Sequence, residues 1–162
     1  QYPCLRKYSE RFLVVEMRRF TYKGKYNPTN GEKYVGNTKN IVYRSMWERR
    51  FMKYCDENPE VLSWSSEELV IPYLSPVDRK LHRYFPDFLI KVKRGDKTQT
   101  IVIEVKPKKE TKPPKKKKTI TPRYLYEMKT WSVNEAKWKA ANTFCLDRKW
   151  EFKIITEDQV GR

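Results

Sequence analysis

RYFPDFLIKV at residues 83–92 and TQTIVIEV at residues 98–105, with Lys106 directly after it, decide how this chain is read. Both segments have the length of strands and are rich in β-branched and aromatic residues. Arg94-Gly95-Asp96-Lys97 between them is a tight-turn sequence, so the spacing predicts a hairpin. Pro86 cannot donate to a strand ladder and predicts a break or bulge in the first strand. Side chains alternate faces along a strand. Ile101, Ile103 and Val105 therefore point into a core, and Glu104 and Lys106 point the other way, side by side.

Two adjacent strands can bring Asp87 beside Glu104. Carboxylates at close range repel unless a cation lies between them. Mg²⁺, with Mn²⁺ as its substitute, accepts such a pair together with waters and a substrate phosphate. Lys106 is then placed to orient or deprotonate a water, or to steady charge on the phosphate. Taken singly, these residues have plainer readings. An exposed strand acid with a lysine two residues on is ordinarily a solvated ion pair worth under about 1 kcal/mol, and an aspartate after proline is ordinarily a turn residue. Taken together they read differently. Glu104 lies between Val102 and Val105, and Asp87 between Phe85 and Phe88. An acid in such surroundings is costly without a partner.

Working outward, Ser45 and Glu48 form a capping box that opens a helix over 45–57. Trp47, Phe51, Tyr54 and Cys55 make its apolar stripe. ELVIPYL at 68–74 reads as a strand and Ser75-Pro76-Val77-Asp78 as a turn. Ser132 and Glu135 form a second capping box for a helix over 132–148, with Val133, Ala136, Ala140, Ala141, Phe144 and Cys145 on its apolar face; 124–131 extends the helical reading upstream. WEFKIIT at 150–156 closes as a strand. The order predicts an α/β domain: a mixed central sheet flanked by helices. Residues 1–40 read as a basic, loosely ordered N-terminal arm, and 41–162 as the folded domain with a mobile, lysine-rich loop at 107–122.

The 162 residues hold 36 Lys and Arg against 20 Asp and Glu, a formal charge of +16 that calls for a polyanionic partner. The charge is uneven. Residues 51–105 carry eight basic and nine acidic groups, and residues 106–118 carry eight and one. An acidic centre between anion-binding flanks is the natural reading. Three widely spaced cysteines without CxxC argue against a disulfide framework or a cysteine zinc site and favour a reducing compartment. A single histidine, His82, leaves little room for a Ser-His-Asp triad, so catalysis falls to carboxylates and lysines. No apolar run is long enough to span a bilayer, and Phe12 to Val15 is too short for a signal-peptide core.

Pro86-Asp87…Glu104-Val105-Lys106 resembles the PD-(D/E)xK nuclease superfamily motif, and Glu48 fits the helix glutamate that commonly precedes it. The longer string YRSMWERRFMKYCDENPEVLSW, IPY, RYFPDF, IEVKP and NEAKWKAANTFC is similar to the head-completion nucleases of T-even-like tailed bacteriophages over residues 22 to 157. A more distant similarity is to TnsA-like transposon endonucleases. Residues 1–21 and the length of the lysine run lie outside this resemblance.

The resemblance implies a restriction-endonuclease-like core with Asp87, Glu104 and Glu48 at the metal and Lys106 as the catalytic lysine. Glu48 has a competing role as the capping-box acid. Asn134 and Lys137, on the later helix, would approach the phosphate. Lys108, Lys109, Lys112 and Lys115, Lys116, Lys117 and Lys118 would meet DNA phosphates near the cut, with Arg44, Arg49, Arg50 and Arg83 as further candidates. No pattern for reading bases is visible, which predicts salt-sensitive binding with little sequence preference. The implied function is a metal-dependent DNA endonuclease that processes packaged DNA before tail joining, in the host cytoplasm or in the virion, with capsid, portal or other head-completion proteins as partners and no membrane. The alternatives are a non-catalytic DNA-binding or virion-structural protein on a nuclease fold, and a TnsA-like transposase subunit.

Overall fold

A computed structural model of the chain describes residues 23–160. The elements are β1 (Gly24–Lys25), β2 (Val42–Tyr43), α1 (Met46–Glu57), β3 (Val61–Ser66), β4 (Ile71–Leu74), β5 (Leu81–Tyr84), β6 (Phe88–Arg94), β7 (Lys97–Val105), α2 (Pro122–Asp147), β8 (Glu151–Ile155) and α3 (Glu157–Val160). The main sheet has the order β3-β6-β7-β8. β3, β6 and β7 are antiparallel neighbours, and β8 adds parallel to β7, so the sheet is mixed as expected. β1–β2 and β4–β5 are separate antiparallel pairs. None of the described helices is long and apolar enough to cross a membrane.

The sheet is covered on both faces. Phe51, Met52 and Cys55 of α1 pack with Trp64, Phe88, Ile90, Ile101 and Ile103. Ala141 and Phe144 of α2 pack with Ile71, Tyr73 and Tyr84 of the β4–β5 hairpin and with Phe152 of β8. β7 is the consequence: every position from Ile101 to Val105 is buried, Glu104 included. A strand buried on both faces loses the polar alternation of a half-exposed one.

The hairpin of β6 and β7 is present, with Arg94 paired to Lys97 and Gly95 at φ +61° in the connecting turn. That region favours glycine, which has no Cβ to clash. The expected strand over 83–92 is two strands, in different sheets. Tyr84 ends β5, Phe88 begins β6, and Pro86-Asp87 is the break between them. The expected strand over 68–74 shrinks to β4. β3 was not expected; its register against β6 shifts between Val61 and Ser63, which scrambles the period-two pattern of VLSWSS.

The second capping box is not a helix start. α2 begins at Pro122, with Thr121 as its cap accepting from the Tyr124 N–H at 3.2 Å. Ser132 lies inside the helix, where its hydroxyl donates to the Met128 carbonyl at 3.0 Å. Back-bonding of this kind lets serine sit mid-helix, so Ser-x-x-Glu alone is ambiguous. The stripe of α1 is also shifted: Phe51, Met52, Cys55 and Asp56 are buried, Trp47 is partly buried and Tyr54 is exposed. The expected loop at 107–122 is extended only in part, because Lys108–Thr111 forms a 3₁₀ turn.

Of the expected arm over 1–40, residues 1–22 lie outside the described residues. Residues 23–40 are not loose. Asp56, 1% exposed at the end of α1, accepts from the Thr29 N–H at 2.7 Å, the Asn30 N–H at 2.8 Å and the Tyr26 hydroxyl at 3.0 Å. Lys33 donates to the Asp56 and Asn58 carbonyls at 3.1 and 2.7 Å, and Tyr34 packs edge-on against Trp64. A short segment without periodicity is ordered here by one buried carboxylate that needs its donors.

Asp56→Ala should therefore cost about 3 kcal/mol of stability, since charge-assisted bonds contribute about 1.5–3 kcal/mol each and several donors are orphaned together. Urea unfolding measures it. A loss under about 0.5 kcal/mol, the scale of an ordinary surface change, would mean that residues 23–40 are not tied down by Asp56.

Candidate active site

The break at Pro86-Asp87 sets the site. Phe88 pairs with Ile103, so the ladder carries Asp87 to the level of Glu104 on the neighbouring strand. Asp87 Oδ2 accepts the Val105 N–H at 2.7 Å. Glu104 is 6% exposed and each of its oxygens has a partner. The Tyr84 hydroxyl donates to Oε2 at 2.6 Å, and Lys106 Nζ lies 3.3 Å from Oε1. The Lys106 side chain is 25% exposed, so it spans from the buried acid to solvent. Its backbone N–H donates to the Ile155 carbonyl at 2.9 Å, continuing the β7–β8 ladder past the end of β7. Asp87, Glu104 and Lys106 are thus brought together by strand register alone.

The electrostatics follow from that geometry. Burial, above all, and then the charge of Glu104 push the Asp87 carboxyl up to about 8; Glu48 adds to the rise, while the Val105 N–H and Lys106 oppose it. Burial and the Glu104 charge drive the Tyr84 phenol far above its ordinary range, so it stays protonated and donates to Glu104. Glu48 is therefore close enough to act on Asp87 through its field.

Glu48 also holds the start of α1, in a way that differs from the expected box. Its N–H donates to Ser45 Oγ at 3.1 Å, the Ser45 hydroxyl donates to Oε1 at 2.9 Å, and the N–H of Arg44, one residue upstream of the cap, donates to Oε2 at 2.8 Å. The local role and proximity to Asp87 coexist.

The proposed phosphate contacts are scattered around this centre. Arg44 pairs with Glu67, a residue the sequence did not single out; that pair, with Glu48 and Asp87 behind it, holds the guanidinium above its usual value. Arg83 is exposed and stands over the Phe85 ring, two residues before Asp87. Lys137 Nζ lies 5.6 Å from the Tyr84 ring centre and 5.7 Å from that of Tyr73. Asn134, one turn earlier in α2, is half-buried. Lys108 is tied back, with Nζ 2.6 Å from Asp158 and its N–H donating to Glu157 at 2.8 Å. Lys117 lies 3.9 Å from Glu127 and over the Tyr124 ring. Lys109, Lys112, Lys115, Lys116 and Lys118 are exposed. Arg49 stands over Tyr43, and Arg50 borders a cleft with Tyr54, Ile155 and Val160.

No three Asp, Glu, His or Cys side chains among the described residues are gathered tightly enough to cage a metal. Magnesium does not need such a cage; one or two carboxylates, waters and a substrate phosphate are its common set. Asp87 and Glu104 fit that set, because each carboxylate oxygen has two lone pairs and the bonds above leave acceptor capacity on both groups. Tyr84 was not anticipated. Its distance of three residues from Asp87 is visible in RYFPDF, but its aim at Glu104 depends on how the β4–β5 hairpin packs.

The matched family is described as TnsA-like endonuclease N terminal, over residues 58–157, a span that holds Asp87, Glu104 and Lys106 and begins after α1. The chain is 46% identical to the head completion nuclease of Enterobacteria phage T4 over 141 residues, 85% of this chain and 92% of that one. No solved structure matches it significantly. The α/β core with its mixed sheet agrees with a restriction-endonuclease-like fold. With a carboxylate pair and a lysine at the open end of the β6–β7 hairpin, and similarity over most of its length, the chain belongs to the head-completion nucleases and to the TnsA-like endonuclease family.

Proposed function

We propose that this nuclease is a metal-dependent DNA endonuclease with little sequence preference, and that it processes packaged DNA during completion of a phage head. The observation that carries the reading is the convergence of Asp87, Glu104 and Lys106, where burial first and the Glu104 charge second raise the proton affinity of Asp87. Asp87 and Glu104 would hold Mg²⁺, with Glu48 acting on the metal or its water. The ion would supply Lewis acidity at the phosphoryl oxygen and lower the pKa of a bound water.

The chain's own residues do the rest. Lys106 holds its ammonium beside Glu104, where it can stabilise charge on the phosphate or orient the attacking water. The Val105 N–H holds one Asp87 oxygen, Oδ2, at 2.7 Å. The exposed lysines of the 109–118 stretch neutralise neighbouring phosphates irrespective of base. Lys108 and Arg44 have acidic partners, so binding DNA would require each to exchange its partner or share it. The work would take place in the infected host's cytoplasm or in the virion, alongside capsid, portal or other head-completion proteins.

Plasmid should be cut with Mg²⁺ or Mn²⁺ and left whole with EDTA. Asp87→Ala and Glu104→Ala should abolish cutting in folded protein, and Glu48→Gln should lower it at least about tenfold, equivalent to ~1.4 kcal/mol of transition-state stabilisation. Cutting by Asp87→Ala at the unmodified rate would refute the assignment.

Stability should depend on pH in a defined direction. Asp87 is raised in the folded protein from 3.8 to about 8, so between these values the folded state binds more protons than the unfolded chain. Stability therefore falls as pH rises through that window. The charged groups acting on Asp87 are Glu104, Glu48 and Lys106. In EDTA the thermal midpoint should drop from pH 5 to pH 8 less steeply in Asp87→Asn, and Mg²⁺ should restore it mainly at the alkaline end. Equal slopes in the two proteins would show that Asp87 does not govern the trend.

Binding should separate from chemistry. Lys106→Ala should lose cleavage but retain most DNA affinity. Replacing Lys115, Lys116 and Lys118 by Gln should weaken binding and flatten its salt dependence, by about one unit of slope for each phosphate no longer neutralised. Fluorescence anisotropy at several salt concentrations measures both, and an unchanged slope in the triple variant would remove these lysines from the interface.

A further inference from the structure

The sequence motifs assign Tyr84 no role at the site, yet its hydroxyl reaches Glu104. It is 3% exposed and its hydroxyl donates to Glu104 Oε2 at 2.6 Å. It comes from a different sheet. β5 pairs with β4, not with the main sheet, and Tyr84 is aligned with Ile71 at the inner end of that hairpin. Ile71 and Tyr73 pack with Ala141 and Phe144 of α2, so the hairpin is seated on the helix and delivers the phenol to the acid. Lys137 of α2 stands over the rings of both Tyr73 and Tyr84.

The two oxygens of Glu104 are therefore claimed by different partners, by a neutral donor at Oε2 and by the ammonium of Lys106 at Oε1. A carboxylate held by one partner alone can turn about its terminal torsion, which is broad and soft. Two partners fix its plane. Without Tyr84, the flexible Lys106 would be the one remaining partner and would draw the carboxylate with it. Ligand carboxylates are commonly oriented by such outer hydrogen bonds, and losing one typically costs 10–100-fold in metal affinity or activity.

We propose that Tyr84 is a positioning residue: its hydroxyl fixes the plane of the Glu104 carboxylate for a divalent cation, so the seating of the β4–β5 hairpin on α2 sets the metal affinity of the site. The inference rests on the reading of Asp87 and Glu104 as metal ligands. It assigns the hairpin a task that no strand of the main sheet performs.

The test is Tyr84→Phe, which keeps the ring and removes the donor. Tyr73→Phe is the control, because it removes a phenol from the same hairpin face beneath the same Lys137. Mn²⁺ binding is read by electron paramagnetic resonance in the full-length protein without DNA, each protein being held at least 10 °C below its own thermal midpoint. Tyr84→Phe should bind Mn²⁺ at least about tenfold more weakly. In steady-state cleavage kcat should fall by a similar factor at fixed Mg²⁺ and recover in excess Mg²⁺, with KM for DNA within twofold. Tyr73→Phe should match the unmodified protein. Mn²⁺ affinity within twofold in folded Tyr84→Phe would overturn the proposal, as would an equal loss in Tyr73→Phe, which would reduce the effect to hairpin packing. Glu104→Ala separates the two levels. If it binds Mn²⁺ as tightly as the unmodified protein, the metal reading itself fails and the role of Tyr84 fails with it.

Discussion

Glu104 is buried and Asp87 is partly buried within reach of its charge, and the elements around them supply the partners that each acid needs. A buried carboxylate is costly unless it is hydrogen-bonded or paired. Each acid has been given what it needs by a different element. Asp87 takes the Val105 N–H from the neighbouring strand, and Glu104 takes the Tyr84 hydroxyl from the hairpin and the Lys106 ammonium beyond the end of β7. The partners do not offset the whole cost, because burial first and the Glu104 charge second still hold the Asp87 carboxyl far above an ordinary one. A domain meant only to be stable would gain from replacing such a pair with apolar side chains. Retaining both acids makes sense when a cationic ligand and an anionic substrate are to meet there.

The layers of the domain follow from the same strands. β7 can be apolar on both faces because α1 covers one and α2 with the β4–β5 hairpin covers the other. The acid end of β7 is where that cover gives way to the basic segment. Lys106 leads out of the core, and Lys108 is at once held by Glu157 and Asp158 of α3. The lysines further along are exposed, so the chain changes within a few residues from buried strand to a surface fit for phosphates. Lys108 and Lys117 already have acidic neighbours, Asp158 and Glu127.

A second buried carboxylate, Asp56, organises the other end of α1. It gathers Tyr26, Thr29 and Asn30, while Glu48 at the start of the helix gathers Ser45 and Arg44 and acts on Asp87. One short helix thus ties the segment before it to the sheet and brings a third acid toward the site. The capping role of Glu48 and its closeness to the site are compatible because helix starts and strand ends meet at the same edge of the domain.

Much of the candidate site's geometry was legible in the residues themselves. Proline before aspartate marks a strand break, and an acid with a lysine two residues on, inside an otherwise apolar strand, marks a same-side pair; both are properties of one strand at a time. The β6–β7 hairpin, α1 and β8 were legible for the same reason, since turn chemistry, capping and short-range periodicity are local. What failed to show was whatever depended on a distant partner. β3 hid because its register shift removes the alternation, and Ser132 mimicked a helix cap because its hydroxyl can bond either way. The order of residues 23–40 depends on Asp56, a position that reads as one more charge on a helix. The line RYFPDF held Tyr84 and Asp87 together from the start. That the phenol turns to Glu104, twenty residues away, was decided only when the β4–β5 hairpin packed on α2, because no local rule says which buried acid a buried hydroxyl will find.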